Sequence, residues 1–331
     1  MAPERLFELQ RRTFDTPHFR GIEFIEVEAK SIINHVPGNY LPFSWTINPY
    51  RGCSHACVYC FARATHTYMD MDAGRDFETK IVVKVNAGEL LRKELRAKRW
   101  KGEGIAMGTA TAPYQRAEGK YKLMPQIIGA LTDYRNPFSI LTKGTLILRD
   151  LDLLVDAAAV TDVSTAFSIG TLDEDVWRRS EPGTPHPRKR IEAVARLNDA
   201  GIPCGVLMAP ILPGISDRPD QLRDVMSAAF DAGATYVSPI LLHLRPKVRE
   251  VYMEWLADNY PDLVDRHEAM YRQAYAAPAD RKALAATVAE IGEQLGGPRK
   301  RTRKRRRPPA DAAQRSRAAT ATLKSEQLKL V

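Results

Sequence analysis

Two hydrophobic rhythms alternate along the middle of the chain. Compact apolar runs, the mark of buried strands, fall at 43–48, 104–111, 138–142, 163–169, 203–210 and 236–243. Between them, apolar residues recur every three or four positions at 86–99, 123–133, 148–159, 187–200 and 219–232, which predicts amphipathic helices. Gly201 and Gly233 follow the last two as helix-ending signals. A further short strand is predicted at 80–85. Strands separated by single helices imply a parallel sheet with the helices outside. A complete eight-fold barrel takes about 250 residues, and the alternation here spans only 43–243. The predicted fold is therefore α/β, an open partial (β/α)6 barrel of the TIM type.

The flanks read differently. Residues 1–40 form a lead-in segment with extended structure at 24–34 and a turn at Pro37 and Gly38. Residues 41–244 hold the barrel. Residues 245–297 read as helices able to cover its open side, with an apolar face at 251–256 and an amphipathic stretch at 280–295. Gly296, Gly297 and Pro298 break that pattern, and 298–331 is a basic tail expected to be disordered.

Charge changes the picture only at that tail. The 331 residues carry a net +9, but 298–331 holds twelve Lys/Arg against two Asp/Glu, a local +10, so 1–297 carries about −1. Eight of the nine residues at 299–307 are basic and none is aromatic. That composition suits sequence-independent contact with nucleic-acid phosphates rather than base stacking, and equally a merely solubilising extension. No window reaches the ~18 apolar residues of a membrane span, and the first residues lack a signal-peptide core. The expected setting is cytoplasmic, without a membrane, where thiols stay reduced.

Chemistry gathers in one stretch, Asn48-Pro49-Tyr50-Arg51-Gly52-Cys53-Ser54-His55-Ala56-Cys57-Val58-Tyr59-Cys60-Phe61-Ala62-Arg63. Three of the four cysteines sit here as C-x3-C-x2-C. Two thiolates suit a redox pair, and four suit a tetrahedral zinc or a fully ligated cubane. Three leave one iron of a four-iron cluster open to a small molecule. Tyr50, Tyr59 and Phe61 shield such a centre, and Gly52 lets backbone approach it. Zinc held by the three cysteines with His55 or His66 is the alternative, although His55 lies between two ligands and reaches the same ion poorly. A disulfide framework does not fit this spacing.

The string resembles the radical S-adenosylmethionine (SAM) superfamily, and its wider form resembles the branch of spore photoproduct lyase and photolyase-like proteins. The resemblance implies a [4Fe–4S] cluster on Cys53, Cys57 and Cys60 whose open iron binds the amino and carboxylate groups of SAM. It implies reductive cleavage of SAM to a 5′-deoxyadenosyl radical that takes a hydrogen from a substrate the sequence does not name. An external electron donor such as flavodoxin or ferredoxin is implied too. The strand-end rule for βα barrels then selects contacts. Tyr59 lies beside the last ligand. Pro113, Tyr114, Gln115 and Glu118 match a family string that holds the SAM amino group, with Ala112 where an acid is expected. Lys143 matches the carboxylate ligand, Ser168 offers a hydroxyl to the ribose, and Ile211 or Leu212 packs the adenine. Arg178 and Glu181 match a substrate-side region. Each has a plainer alternative: a solvated turn at 114–116, a solvent-facing Lys143, a surface ion pair at Arg178 and Glu181. Cys204 and His243 read as core residues. No further cysteine matches the hydrogen donor of spore photoproduct lyases, so lesion repair does not follow from the resemblance. A nucleic-acid-binding or repair protein and a non-catalytic iron–sulfur protein are the rival readings.

Overall fold

A computed structural model describes residues 10–38 and 41–298. The basic run 299–307 and the tail behind it lie outside the described residues.

The described strands are β1 (Gln10–Thr13), β2 (Glu23–Val27), β3 (Ile33–His35), β4 (Trp45–Ile47), β5 (Tyr50–Arg51), β6 (Lys80–Lys84), β7 (Ile105–Met107), β8 (Phe138–Thr142), β9 (Val163–Ser168), β10 (Cys204–Ile211) and β11 (Val237–Leu241). A seven-stranded sheet runs β11-β10-β9-β8-β7-β4-β3. Six of these strands, β4 and β7 to β11, are parallel, and β3 joins antiparallel at the edge. These six are the strands the apolar runs predict. Each pair is joined by helix-bearing chain, because parallel neighbours need a crossover. The helices Ala87–Leu95, Leu123–Asp133, Leu151–Val160, Pro187–Asp199 and Pro219–Asp231 supply it. Their buried faces, such as Met124, Ile127, Ile128 and Leu131, join Ile105, Ile140, Phe167 and Val206 of the strands in one core.

The strand at 80–85 forms, but it pairs elsewhere. A second sheet runs β1-β2-β6-β5. Here β2 lies parallel to β6, Glu23 against Lys80 through Val27 against Lys84, and β5 closes antiparallel on β6. The lead-in segment is thus woven into both sheets, through β2 on β6 and β3 on β4. This suspends the cysteine stretch between them: β4 enters from the large sheet, and β5 and β6 bracket it from the small one.

The helices Val248–Asn259 and Val264–Met270 form a second apolar cluster. Val248, Tyr252, Leu256 and Tyr271 pack there with Leu212, Leu242, Cys57 and Tyr59. They lie against the cysteine loop. The helix Pro278–Gln294 instead lies on Pro219–Asp231 and β11, with Val288 and Ile291 in the main core.

Candidate active site

The cysteine loop is fixed from several directions before any ligand is considered. Cys53 N–H donates to Phe77 O at 2.9 Å, and Val58 N–H to Ser180 O at 3.1 Å. Gln115, fully buried, spans the loop from the strand β7 side. Its Oε1 accepts from Ser54 N–H at 2.9 Å, and its Nε2 donates to Gly52 O at 2.9 Å. Arg63 grips from behind. Its side chain has no exposure, its Nε donates to Cys57 O at 3.0 Å, and its Nη1 donates to Ala73 O at 3.1 Å and Gly74 O at 2.9 Å. Its other nitrogen pairs with Glu78, and its plane lies over the Phe77 ring. A buried guanidinium with every direction used is a rigid peg. Gly52 has φ +79°, and a Cβ there meets Lys80 O at 2.9 Å, so the turn into Cys53 accepts no side chain.

All four cysteines are free. Burial, then the charge of Cys60, pushes the Cys53 thiol up to about 12. Cys57 is raised by burial first and then by Glu181, with Cys60 and Cys53 adding, and Cys60 by burial. The three thiols are therefore close enough to oppose each other's ionisation. A polycationic centre among them removes that opposition and takes all three as thiolates. Among the described residues no three His, Cys, Asp or Glu side chains converge tightly on a single metal ion. The donor set fits a multi-iron cluster held by three thiolates.

The strand ends above the loop bring Lys143, Ser168 and Tyr59 together around a residue assigned no cofactor contact in the sequence, Glu181. Lys143 Nζ, just past β8, donates to Glu181 Oε1 at 2.8 Å and to Ser168 Oγ, the end of β9, at 2.8 Å. Tyr59 O–H donates to the same carboxylate, and Arg190 pairs with its other oxygen. Thr184 Oγ1 adds a bond at 3.2 Å. Lys143 also lies over the Tyr59 ring, 5.5 Å from its centroid. Burial works against the Glu181 charge, yet Arg190 and then Lys143 hold its carboxyl well below the usual range. Tyr59 is raised by burial and by Glu181. His55, 3% exposed, is pushed down to about 3 by burial, then by Arg190 and Lys143. The imidazole is neutral.

Glu181 reaches this position because its loop lies backbone on backbone against the cysteine loop. Gly183 N–H donates to His55 O at 3.0 Å, and a Cβ at Gly183 meets Ser54 O at 2.1 Å. The sequence signal for this was the stiff Glu181-Pro182-Gly183 turn itself.

The other expected contacts are placed differently. Glu118 is fully buried and its carboxylate is committed: it accepts from Tyr50 O–H at 2.6 Å, Arg149 Nη2 at 2.6 Å, and the N–H groups of Leu123 and Met124 at 3.0 and 3.2 Å. It caps the helix Leu123–Asp133 and does not reach the Lys143 group. Tyr114 is buried on Asp150 at 3.1 Å. The Pro113–Glu118 string thus braces the cysteine loop, where a ligand contact or a solvated turn was expected. Ile211 has no exposure and belongs to the main core; Leu212, next in sequence, packs with Cys57 and Tyr59. Arg178 is a surface residue paired with Glu174 at 2.7 Å. Cys204 is buried in the core, as expected. His243 instead stands between the rings of Phe61 and Tyr275 at 6.0 and 5.4 Å.

Comparison with known proteins agrees with this geometry. The family model described as Radical SAM superfamily matches residues 47–226. The uncharacterized protein Rv2578c of Mycobacterium tuberculosis is 47% identical over 282 residues, covering 85% of this chain and 83% of that one. Uncharacterized protein MJ0683 of Methanocaldococcus jannaschii is 32% identical over 246 residues, 73% of this chain and 85% of that one. Among solved structures, a spore photoproduct lyase mutant with bound AdoMet and dinucleoside spore photoproduct superposes with a TM-score of 0.63 at 16% identity, over 87% of this chain and 85% of that one. At that identity the likeness is one of fold.

Proposed function

The chain belongs to the radical SAM superfamily, and we propose that it is an enzyme that cleaves SAM reductively on a [4Fe–4S] cluster and takes a hydrogen atom from a substrate. Cys53, Cys57 and Cys60 hold the cluster. The cluster supplies an electron to SAM and an iron position for its amino and carboxylate groups. The observation that carries this reading is the placement of an ion group directly over the three-cysteine loop. Lys143 and Arg190 against Glu181 leave one positive charge in excess, which suits a ligand carboxylate. Lys143 meets that carboxylate, and Ser168 and Tyr59 orient Lys143. Of the two residues expected to pack the adenine, Ile211 and Leu212, it is Leu212, packed against Cys57 and Tyr59, that offers the apolar contact. An external donor such as flavodoxin or ferredoxin reduces the cluster in a cytoplasmic setting. No helix among the described residues is long and apolar enough to cross a membrane.

The test is anaerobic reconstitution. About four irons per chain are expected, lost on changing Cys53, Cys57 or Cys60 to Ala and retained in Cys204→Ala. The reduced holoprotein given SAM forms 5′-deoxyadenosine without added substrate. Zinc in place of iron after anaerobic preparation overturns the cluster assignment. A loaded cluster with no 5′-deoxyadenosine overturns the catalytic one.

A further inference from the structure

We infer that Glu181 is a built-in counter-anion that occupies Lys143 until a ligand carboxylate takes its place, so that it sets how tightly SAM is held. This rests on the assignment of Lys143 to the SAM carboxylate. The argument starts from how differently Glu181 holds its two cations. Arg190 is 1% exposed and is fixed by three further oxygens: Nε to Pro185 O at 2.8 Å, Nη1 to Ser168 O at 3.1 Å, and Nη2 to Thr184 Oγ1 at 2.5 Å. It has no second position to adopt. Lys143 is 13% exposed and donates two hydrogen bonds, to Glu181 Oε1 and Ser168 Oγ, each at 2.8 Å. An ammonium on a four-carbon stem turns between acceptors at small cost.

When Lys143 turns to a ligand, Glu181 keeps Arg190, Tyr59 and Thr184. Its charge remains compensated, so the large penalty of an unpaired buried carboxylate is avoided. The exchange trades one carboxylate on Lys143 for another. The ligand gains only the difference between two similar charge-assisted bonds. Glu181 therefore lowers the affinity that a free Lys143 gives, and it keeps the site folded while no ligand is present. It is a positioning residue, acting through Lys143.

The experiment measures the Kd of SAM for the anaerobically reconstituted holoprotein by equilibrium dialysis, in a cycle of Glu181→Gln and Lys143→Met. Iron content and melting temperature are checked for each variant. Failure of the wild-type holoprotein to bind SAM is failure of the functional reading, and is established before any variant is compared. Glu181→Gln removes the competing charge, and is expected to lower Kd about five- to tenfold. The same change with Met at 143 is expected to leave Kd unaltered. Glu181→Asp keeps the buried charge on Arg190 but withdraws it from Lys143. It is expected to lower Kd in the same direction, and it decides the matter if Glu181→Gln does not fold. A Kd that is unchanged or raised in the folded variant overturns the inference, as does a gain of equal size without Lys143.

Discussion

At the residue scale, charge and burial decide what each side chain does. The cysteine spacing was legible because thiol ligands are scarce and clustered, and the positions of Lys143 and Ser168 at strand ends were legible because strand ends are predictable. Glu118 and Gln115 were not. Their partners, Tyr50 and Gly52, lie 68 and 63 residues away in sequence, and no local pattern encodes such a contact. Lys84 shows the same limit. It ends β6, and burial, then Arg51, holds its ammonium down to about 8, with Glu94 opposing. An unfolded lysine titrates near 10.4. Below pH 8 both states carry the proton and the fold bears the full cost of the partly buried charge. As pH rises from 8 towards 10 the folded form sheds the proton first, and stability increases. Lys84→Met is therefore expected to stabilise the fold at pH 7 by about 1–2 kcal/mol, discounted for solvent screening. The gain shrinks by pH 10. Thermal unfolding at the two pH values checks both sign and trend.

Elements were legible where their pattern is local. The helices Leu123–Asp133, Pro187–Asp199 and Pro219–Asp231 fall within a residue of their predicted bounds. Gly201 and Gly233 closed the last two. The partner of β6 was not legible, because β2 meets it across a long stretch of chain and strand pairing leaves no mark in either strand alone. The short helical turn Phe61–Met69 behind the cysteines, with Arg63 in it, was missed as well: its buried faces are Ala62, Arg63 and His66, two of them polar. The contact between the Glu181 loop and the cysteine loop makes the element-scale prediction. A methyl group at Gly183 cannot coexist with Ser54 O at 2.1 Å, so Gly183→Ala separates the two loops. It is expected to cost roughly 2–3 kcal/mol of stability and to weaken SAM binding, while iron content per folded chain is retained. Denaturant unfolding with parallel iron analysis checks this. Unchanged SAM affinity shows that the loops need not touch.

For the whole molecule, the open six-strand barrel could be read from the number of alternations and their span, and the place of the C-terminal helices could not. Their faces are apolar, but which surface they cover is a matter of shape. The near-neutral body and the basic 298–331 extension make a separable pair on charge alone. Deleting 298–331 is expected to leave iron loading and SAM cleavage intact and to remove most salt-sensitive binding to DNA or RNA. A gel-shift salt series on both forms tests it, and an unchanged salt slope places that binding on the barrel. The packing of Val248–Asn259 against Cys57 and Tyr59 has a consequence in time. A ribosome delivers Cys57 and Cys60 well before it delivers the helices that cover them. During that interval the thiols are exposed on a nascent chain, open to an iron carrier and to oxidants alike. The helices Val248–Asn259 and Val264–Met270, made late, act as the door behind the cofactor, and the order of synthesis sets when it shuts.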